Sequence, residues 1–188
     1  MARNQVGIRT EERIVDATRE LLAEAGLEGT TLQAICDRAG IRSGSFYNLF
    51  PTKEDVILRV VGEAIAAVDP DPAGAGSDTV ADLVDAYIRF LVDRPELARI
   101  YVQVAVNGGL RSAEPREHFL RHHRRRIDRF ADAIARSAAG DTADPVADAE
   151  VLLGALDGLA FRWALDPRFD FPRHAWLAAD HCCGVRAP

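Results

Sequence analysis

The sequence predicts an all-α protein, and three observations support this prediction. Apolar residues recur with the 3.6-residue period of a helix along most of the 188-residue chain. No convincing run alternates apolar and polar residues as a half-buried strand does. Glycine and proline divide the chain into segments of helical length. We therefore expect a small N-terminal bundle followed by a larger antiparallel helical domain.

The first two helices are predicted from their ends. Thr10 precedes an amphipathic stretch, and Gly26 lies where a helix is typically followed by glycine. Thr30, with Gln33 three residues later, predicts a capping box that begins the second helix. That helix is expected to end at Gly40.

A third, short helix is predicted between Arg42 or Ser43 and Pro51. Phe46 and Phe50 are four residues apart, so both should anchor this helix to the first two.

A fourth helix is predicted after Thr52, which should cap it. Its apolar positions form one broad stripe: Val56, Ile57, Val60, Val61, Ala64, Ile65 and Val68. Residues 69–78 interrupt the pattern and predict a linker or long loop. Further helices are predicted at 79–93, 96–108, 115–139, 146–165 and 173–183.

Charge restricts the possible partners. The net charge of −6 argues against a protein that binds polyanions over its whole surface. A local basic patch is nevertheless present, because no acidic residue lies between Asp37 and Glu54, whereas Arg38, Arg42 and Lys53 do. Any DNA site should therefore lie in this part of the chain.

Cysteine content and hydropathy predict a cytoplasmic protein. Three cysteines, two of them adjacent, do not make a disulfide framework and favour a reducing compartment. No signal peptide is recognisable, and no apolar run approaches the roughly 20 residues of a membrane span.

The segment 30–53 has the spacing of a helix-turn-helix, whose second helix enters the major groove of DNA. With Phe46 and Phe50 facing the core, Ser45, Tyr47 and Asn48 are left pointing outward. Hydroxyl groups suit phosphate oxygens, and the asparagine amide can pair with an adenine edge.

Two further residues of this segment suit a nearby phosphate. Gly44 allows close approach of the backbone. Lys53 is unfavourably placed for its own helix dipole, which a phosphate would explain; a solvated charge is the alternative.

Residues 10–68 resemble the DNA-binding domain of the TetR family of transcriptional regulators. The resemblance rests on an ordered set of residues: Gly26, Thr30, Thr31, Ala39, Gly40, Gly44, Phe46, Tyr47, Phe50 and Lys53. It implies an all-helical homodimer that binds a palindromic DNA operator and is released by a small molecule. It also implies two domains, a helix-turn-helix domain at 1–52 and an effector-binding and dimerisation domain at 53–188, with helix 53–68 linking them.

By position, the resemblance implies that nine residues face DNA: Thr31, Gln33, Arg42, Ser43, Gly44, Ser45, Tyr47, Asn48 and Lys53. Tyr47 and Lys53 are expected on phosphates, and Gln33, Ser45 and Asn48 on base edges. Arg42 stands where the family often has a small capping residue, so either Arg42 reads DNA or Ser43 forms the cap. Leu49 replaces a commonly polar or aromatic residue, and either contacts a thymine methyl or packs.

The C-terminal half resembles the family more loosely. Residues 152–167 resemble the penultimate helix, which builds a four-helix dimer interface with the last helix. Expected interface residues are Gly154, Ala155, Gly158, Trp163 and Trp176. The alternative is that these residues pack within one subunit.

The resemblance places a small-molecule effector among the helices from 79 to 165. Candidate lining residues are Tyr87, Phe90, Leu91, Tyr101, Val104, Phe119, Phe130 and Phe161, which predict an apolar or aromatic ligand. The alternative is that they are ordinary core residues. The arginine-rich segment 116–129 is interpreted as a solvated helix face, or as the site of an anionic effector such as an acyl-CoA.

Other chemistry is weakly indicated. His118 and His122 have metal-ligand spacing but no third ligand nearby, and the Cys182–Cys183 pair could sense oxidation or simply be buried. No metal site, cofactor or catalytic residue is predicted. The sequence thus favours a ligand-responsive transcriptional repressor over an enzyme or an architectural DNA-binding protein.

Overall fold

The computed structural model describes residues 2–68, 75–107, 113–137, 144–166 and 168–187, without the side chains of 2–6, 104, 106–107, 113–116 and 118. The described residues form helices and no strands. The helices are α1 (Ala2–Gly29), α2 (Leu32–Ala39), α3 (Ser43–Tyr47), α4 (Lys53–Val68), α5 (Val80–Asp93), α6 (Pro95–Asn107), α7 (Ala113–Arg136), α8 (Pro145–Leu165) and α9 (Phe171–Cys183). None of these helices is long and apolar enough to cross a membrane. The predicted all-α fold is confirmed.

Helix α1 is longer than predicted and kinked. It begins at Ala2 rather than after Thr10. Its helical geometry breaks at Gly26, whose φ of 67° is readily adopted by glycine. The hydroxyl of Thr30 donates to the carbonyl of Gly26 over 2.7 Å and so closes the bend that leads into α2.

Helix α2 is capped one residue later than predicted. The hydroxyl of Thr31, not of Thr30, accepts from the amide of Ala34 at 3.1 Å. The Gln33 side chain instead donates to a carboxylate one turn further along α2, so the predicted capping box is wrong. Gly40 ends the helix in the left-handed conformation, with φ of 62°, as the sequence predicts.

Helix α4 connects the two halves of the molecule. Thr52 and Asp55 form reciprocal capping hydrogen bonds before its first turn. Every residue of the predicted apolar stripe is buried, which confirms that interpretation. Because α4 packs against α1 and also against α5, α6 and α7, the core continues from the N-terminal helices into the C-terminal half. The domain boundary at 52/53 stays a prediction.

The C-terminal helices are built as an antiparallel bundle in which α8 packs against α7 and α9, and α5 packs against α9. Their described boundaries lie within three residues of the predicted ones. The predicted linker at 69–78 lies mostly outside the described residues.

Candidate DNA-binding surface and buried polar cluster

The short helix α3 has one buried and one exposed face. Phe46 is fully buried and its ring centroid lies 5.8 Å from that of Phe50, which anchors the helix as predicted. The opposite face is exposed and polar: Arg42, Ser43, Gly44, Ser45, Tyr47 and Asn48. Tyr47 is 56% exposed even though its ring meets Phe46 edge-on. This face is free to meet another molecule.

The beginning of α3 bears on one of the two predicted alternatives, that Ser43 forms the cap in place of Arg42. Arg42 is the N-cap residue and its side chain makes no capping hydrogen bond, while Ser43 is the first residue of the helix. Ser43 therefore does not take over the cap. Leu49 is half-buried and packs against the core.

The exposed side of α2 adds Thr31 and Gln33 to this surface. The hydroxyl of Thr31 is engaged as the helix cap. The amide of Gln33 donates to Asp37 Oδ1 at 2.8 Å, so a contact with a base edge requires that this exposed hydrogen bond be exchanged.

Arg13 of α1 fixes the turn between α2 and α3. Its guanidinium donates to the carbonyl oxygens of Ala39 and, over 3.1 Å, Gly40. A cation there compensates the negative end of the α2 dipole and satisfies carbonyls left open at the helix end. Sequence reasoning missed this residue because the contact joins residues 26 positions apart and no local pattern indicates it.

The predicted basic patch is smaller than expected. Arg38 forms ion pairs with Glu20 and Glu24 of α1, at 2.9 Å each, and so does not remain available as predicted. The side chain of Arg42 is exposed and makes no hydrogen bond or ion pair with the described residues. Lys53 Nζ donates to the carbonyl of Thr30 at 3.3 Å, lies 4.0 Å from Glu54 Oε1, and is a third exposed. Arg42 and Lys53 therefore carry the positive charge of this surface.

Most of the predicted effector-binding residues come together inside the C-terminal half. Tyr87, Phe90, Leu91, Tyr101 and Phe130 are buried, and Phe119 is half-buried beside them. Ring centroids lie 5.9 Å apart for Phe90 and Tyr101 and 5.5 Å apart for Tyr101 and Phe119.

Two predicted effector-binding residues do not join this aromatic cluster. The side chain of Val104 lies outside the described part of the chain. Phe161 is 41% exposed on the outward side of α8, which does not support its prediction as a pocket residue. Helical spacing predicts on which face of α8 Phe161 lies, but not whether that face packs against another helix or meets solvent.

A charged centre lies within the aromatic cluster. Arg126 Nη1 donates to the hydroxyl of Tyr101 at 2.8 Å, and its guanidinium carbon lies 4.6 Å from the Tyr87 ring centroid. The hydroxyl of Tyr87 donates to Asp157 Oδ1 at 2.7 Å, and Arg126 Nη1 lies 3.8 Å from the same oxygen. Burial and the negative charge of Asp157 raise the pKa of Tyr87 well above its usual value, so its phenol stays protonated.

Sequence reasoning missed Arg126 and Asp157. Helical spacing from Phe119 through His122 and Arg126 to Phe130 is the signal that could have identified Arg126 as inward-facing. The arginine-rich segment is therefore neither a uniform solvated face nor a uniform anion site. Arg129 pairs with Asp78, while the remaining described arginines of the run point to solvent: Arg121, Arg124 and Arg125.

The histidines of α7 lie beside this charged centre. His122 is buried, and the ring of His123 stacks on Phe119 with centroids 6.3 Å apart. Burial, with the charges of Arg126 and His122, lowers the pKa of His123, which is therefore neutral at pH 7. The side chain of His118 lies outside the described residues, and no group of three or more His, Cys, Asp or Glu in the described part could hold a metal ion.

Helix α8 presents an apolar stripe to solvent: Val151, Gly154, Gly158, Phe161 and Leu165. Leu177 of the neighbouring α9 is also exposed. A Cβ built on Gly154 or Gly158 would meet nothing within 4 Å, so packing inside one subunit does not require glycine there. Of the other predicted interface residues, Ala155, Trp163 and Trp176 are half-buried, and both tryptophans pack against the subunit's own core.

Cys182 and Cys183 are half-buried. Burial, together with the neighbouring thiol, raises the pKa of Cys183 to about 11, and burial also raises that of Cys182. Because the thiolate is the reactive form, these environments oppose rapid oxidation near neutral pH.

Comparisons with known proteins agree with this geometry. Residues 14–60 match the family described as bacterial regulatory proteins, tetR family. A stretch of 58 residues is 31% identical to the HTH-type transcriptional repressor KstR of Mycobacterium tuberculosis, and 55 residues are 47% identical to KstR2 of Rhodococcus jostii. These matches span 31% and 29% of this chain and 26% of each relative, so they cover about a quarter of the curated relatives' length.

Solved structures extend the likeness to nearly the whole chain. SmeT, the repressor of the Stenotrophomonas maltophilia multidrug efflux pump SmeDEF, is 26% identical, with a TM-score of 0.66 over 93% of this chain and 88% of SmeT. The fatty acid degradation regulator FadR of Bacillus halodurans is 19% identical and shares the fold, with a TM-score of 0.74 over 93% of this chain and 95% of FadR. With its N-terminal helix-turn-helix and its all-helical fold, the chain carries a match to the tetR family of bacterial regulatory proteins at residues 14–60 and resembles helix-turn-helix repressors over nearly its whole length.

Proposed function

We propose that the chain is a ligand-responsive transcriptional repressor, without enzymatic activity, that acts in the cytoplasm by binding a palindromic DNA operator as a homodimer. The observation that carries this proposal is the two-sided helix α3. Its aromatic residues Phe46 and Phe50 are buried, which leaves an exposed polar face of the size and chemistry that a recognition helix inserts into the major groove.

Within this face, the exposed hydroxyl of Tyr47 and the ammonium of Lys53 are assigned to phosphates, because both groups suit phosphate oxygens. Ser45 and Asn48 are assigned to base edges. A Cβ built on Gly44 would meet nothing within 4 Å inside the protein, so the need for glycine there is better explained by an approaching DNA backbone.

The homodimer is supported by the outward stripe of α8. Its small and apolar members, including Gly158, Phe161 and Leu165, leave room for a second helix and gain from burial. A two-fold dimer presents two copies of α3, and two helices that read successive major grooves must lie about 34 Å apart. A palindromic operator follows from that symmetry.

The effector is proposed to be a small molecule that binds at the aromatic cluster of the C-terminal half. Tyr101 and Phe119 supply the apolar surface that such ligands prefer. The alternative of an acyl-CoA along 116–129 is less well supported, because three arginines of that run point to solvent, and one of them, Arg121, lies 3.6 Å from Glu117.

Release from DNA is proposed to be a shift between two dimer states. Helix α6 carries Tyr101 and packs against both α1 and α4. Gln103 of α6 has its Oε1 3.7 Å from the Cβ position of Gly26, the kink of α1. A ligand that moves α6 would therefore change the spacing of the two recognition helices, and by thermodynamic linkage DNA must weaken ligand binding by the same factor.

The test is selection of bound duplexes from a random DNA pool, with the wild-type protein and with Tyr47→Ala. Wild type should enrich a palindrome, and Tyr47→Ala should lose the enrichment while its thermal unfolding is unchanged. Absence of enrichment at low salt would refute operator binding.

A further inference from the structure

The N-terminal part of α1 carries an exposed cation that no acid of the described residues neutralises. Arg9 is exposed and makes no hydrogen bond or ion pair with the described residues, although the exposed Glu12 is only three positions away. The other arginines of α1 whose side chains are described are engaged. Arg13 donates to carbonyls at the end of α2, and Arg19 pairs with Glu63 of α4 at 2.8 Å. Arg9 therefore differs from its neighbours in having no role within the fold.

Two ion pairs show towards which end of the molecule this part of α1 lies. Glu11 pairs with Arg59 of α4, and Arg19, two turns later in α1, pairs with Glu63, one turn later in α4. Because both pairs advance in the same sense, α1 and α4 run in the same general direction. The N-terminal part of α1 thus lies towards the end of α4 that begins with Lys53, while the kink at the other end of α1 lies beside α6.

Arg9 also lies close to the turn that leads into α3. It is four residues before Arg13, so both side chains share one face of α1, with their Cα atoms about 6 Å apart along the axis. Arg13 lies against the carbonyl of Gly40, at 3.1 Å, and Arg42 follows two residues later, at most about 7 Å further along the chain. Arg42 is also exposed and makes no ion pair with the described residues. The positive charge of the α3 face therefore continues onto α1.

We propose that Arg9 binds a phosphate of the DNA backbone beside the major groove that α3 enters. The proposal rests on the proposed operator binding and adds to it a contact made by α1, outside the helix-turn-helix itself. A guanidinium suits phosphate because it donates two parallel hydrogen bonds to the oxygens. Such a contact positions the protein on the duplex and raises its affinity without reading the sequence.

The test is fluorescence anisotropy of the full chain, over a range of salt concentrations, with a labelled duplex that the wild-type protein selects from random DNA. Each phosphate contact contributes about 0.9 units to the slope of log affinity against log salt. Arg9→Gln should therefore lower that slope by about 0.9 units per subunit. It should weaken binding by about two- to fivefold per subunit and leave the selected sequence unchanged. An unchanged slope would overturn the proposal.

Arg125→Gln is the matched control, because it makes the same charge change at an exposed arginine of α7, in the C-terminal half. Its slope should equal that of wild type. If it lowers the slope as much as Arg9→Gln does, only the net charge of the protein matters and the proposal is wrong. Arg9→Lys keeps the cation and should keep most of the slope, and its loss there would contradict a phosphate contact. Thermal unfolding of all three variants should match wild type, because the side chains are exposed.

Neutral methylphosphonates, placed singly along the selected duplex, locate the contact. At one phosphate in each half-site, neutralisation should weaken binding of the wild-type protein but have no further effect on Arg9→Gln. If every neutralised phosphate affects both proteins equally, Arg9 does not bind the backbone.

A mixed-sequence duplex separates this proposal from the proposed function. A wild-type protein that selects a palindrome, with the same salt slope in Arg9→Gln, defeats this proposal alone. Absence of a selected palindrome, with a lower slope for Arg9→Gln on the mixed-sequence duplex, defeats the proposed operator binding alone.

Discussion

Removal of a tyrosine hydroxyl tests stability at Tyr87 and DNA binding at Tyr47. Tyr87 is buried and its hydroxyl donates to Asp157 at 2.7 Å, whereas Tyr47 is 56% exposed and its hydroxyl makes no hydrogen bond with the described residues. Loss of a hydrogen bond to a charged acceptor costs about 1.5–3 kcal/mol. For a chain of this size, Tyr87→Phe should therefore lower Tm by about 3 to 12 °C.

The raised pKa of Tyr87 means that this hydroxyl remains a donor across the usual range of buffers. The stabilisation lost in Tyr87→Phe should therefore show no step from phenol ionisation between pH 6 and 9. Differential scanning calorimetry of wild type and variant at several pH values measures both the size and the pH dependence. A Tm within about 1 °C of wild type would refute the argument that the Tyr87–Asp157 bond stabilises the core.

Tyr47→Phe is the matched control. Its Tm should change little, because surface substitutions usually stay within about 0.5 kcal/mol. Its operator affinity should fall by about tenfold, because the hydroxyl assigned to a phosphate is lost. Fluorescence anisotropy with a labelled operator measures this, and unchanged affinity would remove the Tyr47 hydroxyl from the DNA contacts.

Four further perturbations test other parts of the structure. Arg13→Ala should weaken operator binding about fivefold in the same anisotropy assay, because the α2–α3 turn loses a cation that contributes roughly 1 kcal/mol at a helix end. Unchanged affinity would show that Arg13 does not support the recognition helix. Lys53→Ala should lower the slope of log affinity against log salt by about one unit per site, and an unchanged slope would contradict a phosphate contact. Phe161→Glu should convert dimer to monomer in analytical ultracentrifugation, whereas Val92→Glu, which changes an exposed apolar residue of α5, should not. Alkylation of Cys183 by iodoacetamide should be slow at pH 8 and rise as pH approaches about 11, where its thiolate forms; fast reaction at pH 7 would refute the buried environment.

Local signals predicted the N-terminal elements well. The apolar stripe of α4 and the left-handed glycine that ends α2 are confirmed, because helical period and backbone conformation are properties of a few neighbouring residues. The start of α2 was misplaced by one residue because Thr30 and Thr31 are chemically equivalent caps. The bend at Gly26 engages the hydroxyl of Thr30, which leaves the hydroxyl of Thr31 to accept from the free amides at the start of α2.

Contacts between distant helices were not predictable in the same way. Arg38 was assigned to a basic patch because no acidic residue follows it before Glu54, yet its partners belong to α1. Arg126 was hidden in a run of arginines, although its position relative to Phe119 and Phe130 marks the inner face of α7. Phe161 was assigned to the interior because it is hydrophobic, but hydrophobicity alone does not show whether a side chain faces the core or solvent.

The stripe of α4 also bears on how such a protein can be recombined. A cut after residue 52 would separate α1 from α4, although α4 shares buried surface with both α1 and α6. A chimera that joins residues 1–52 to the C-terminal domain of another protein would therefore pack α1 against a helix that does not fit it. Cavities or clashes would result at the junction. Exchange of α1 to α4 as one block, with the α6 residues that face them, preserves the fitted surfaces. The proposed specificity for DNA would thus be transferable only together with part of the helices that are proposed to control it.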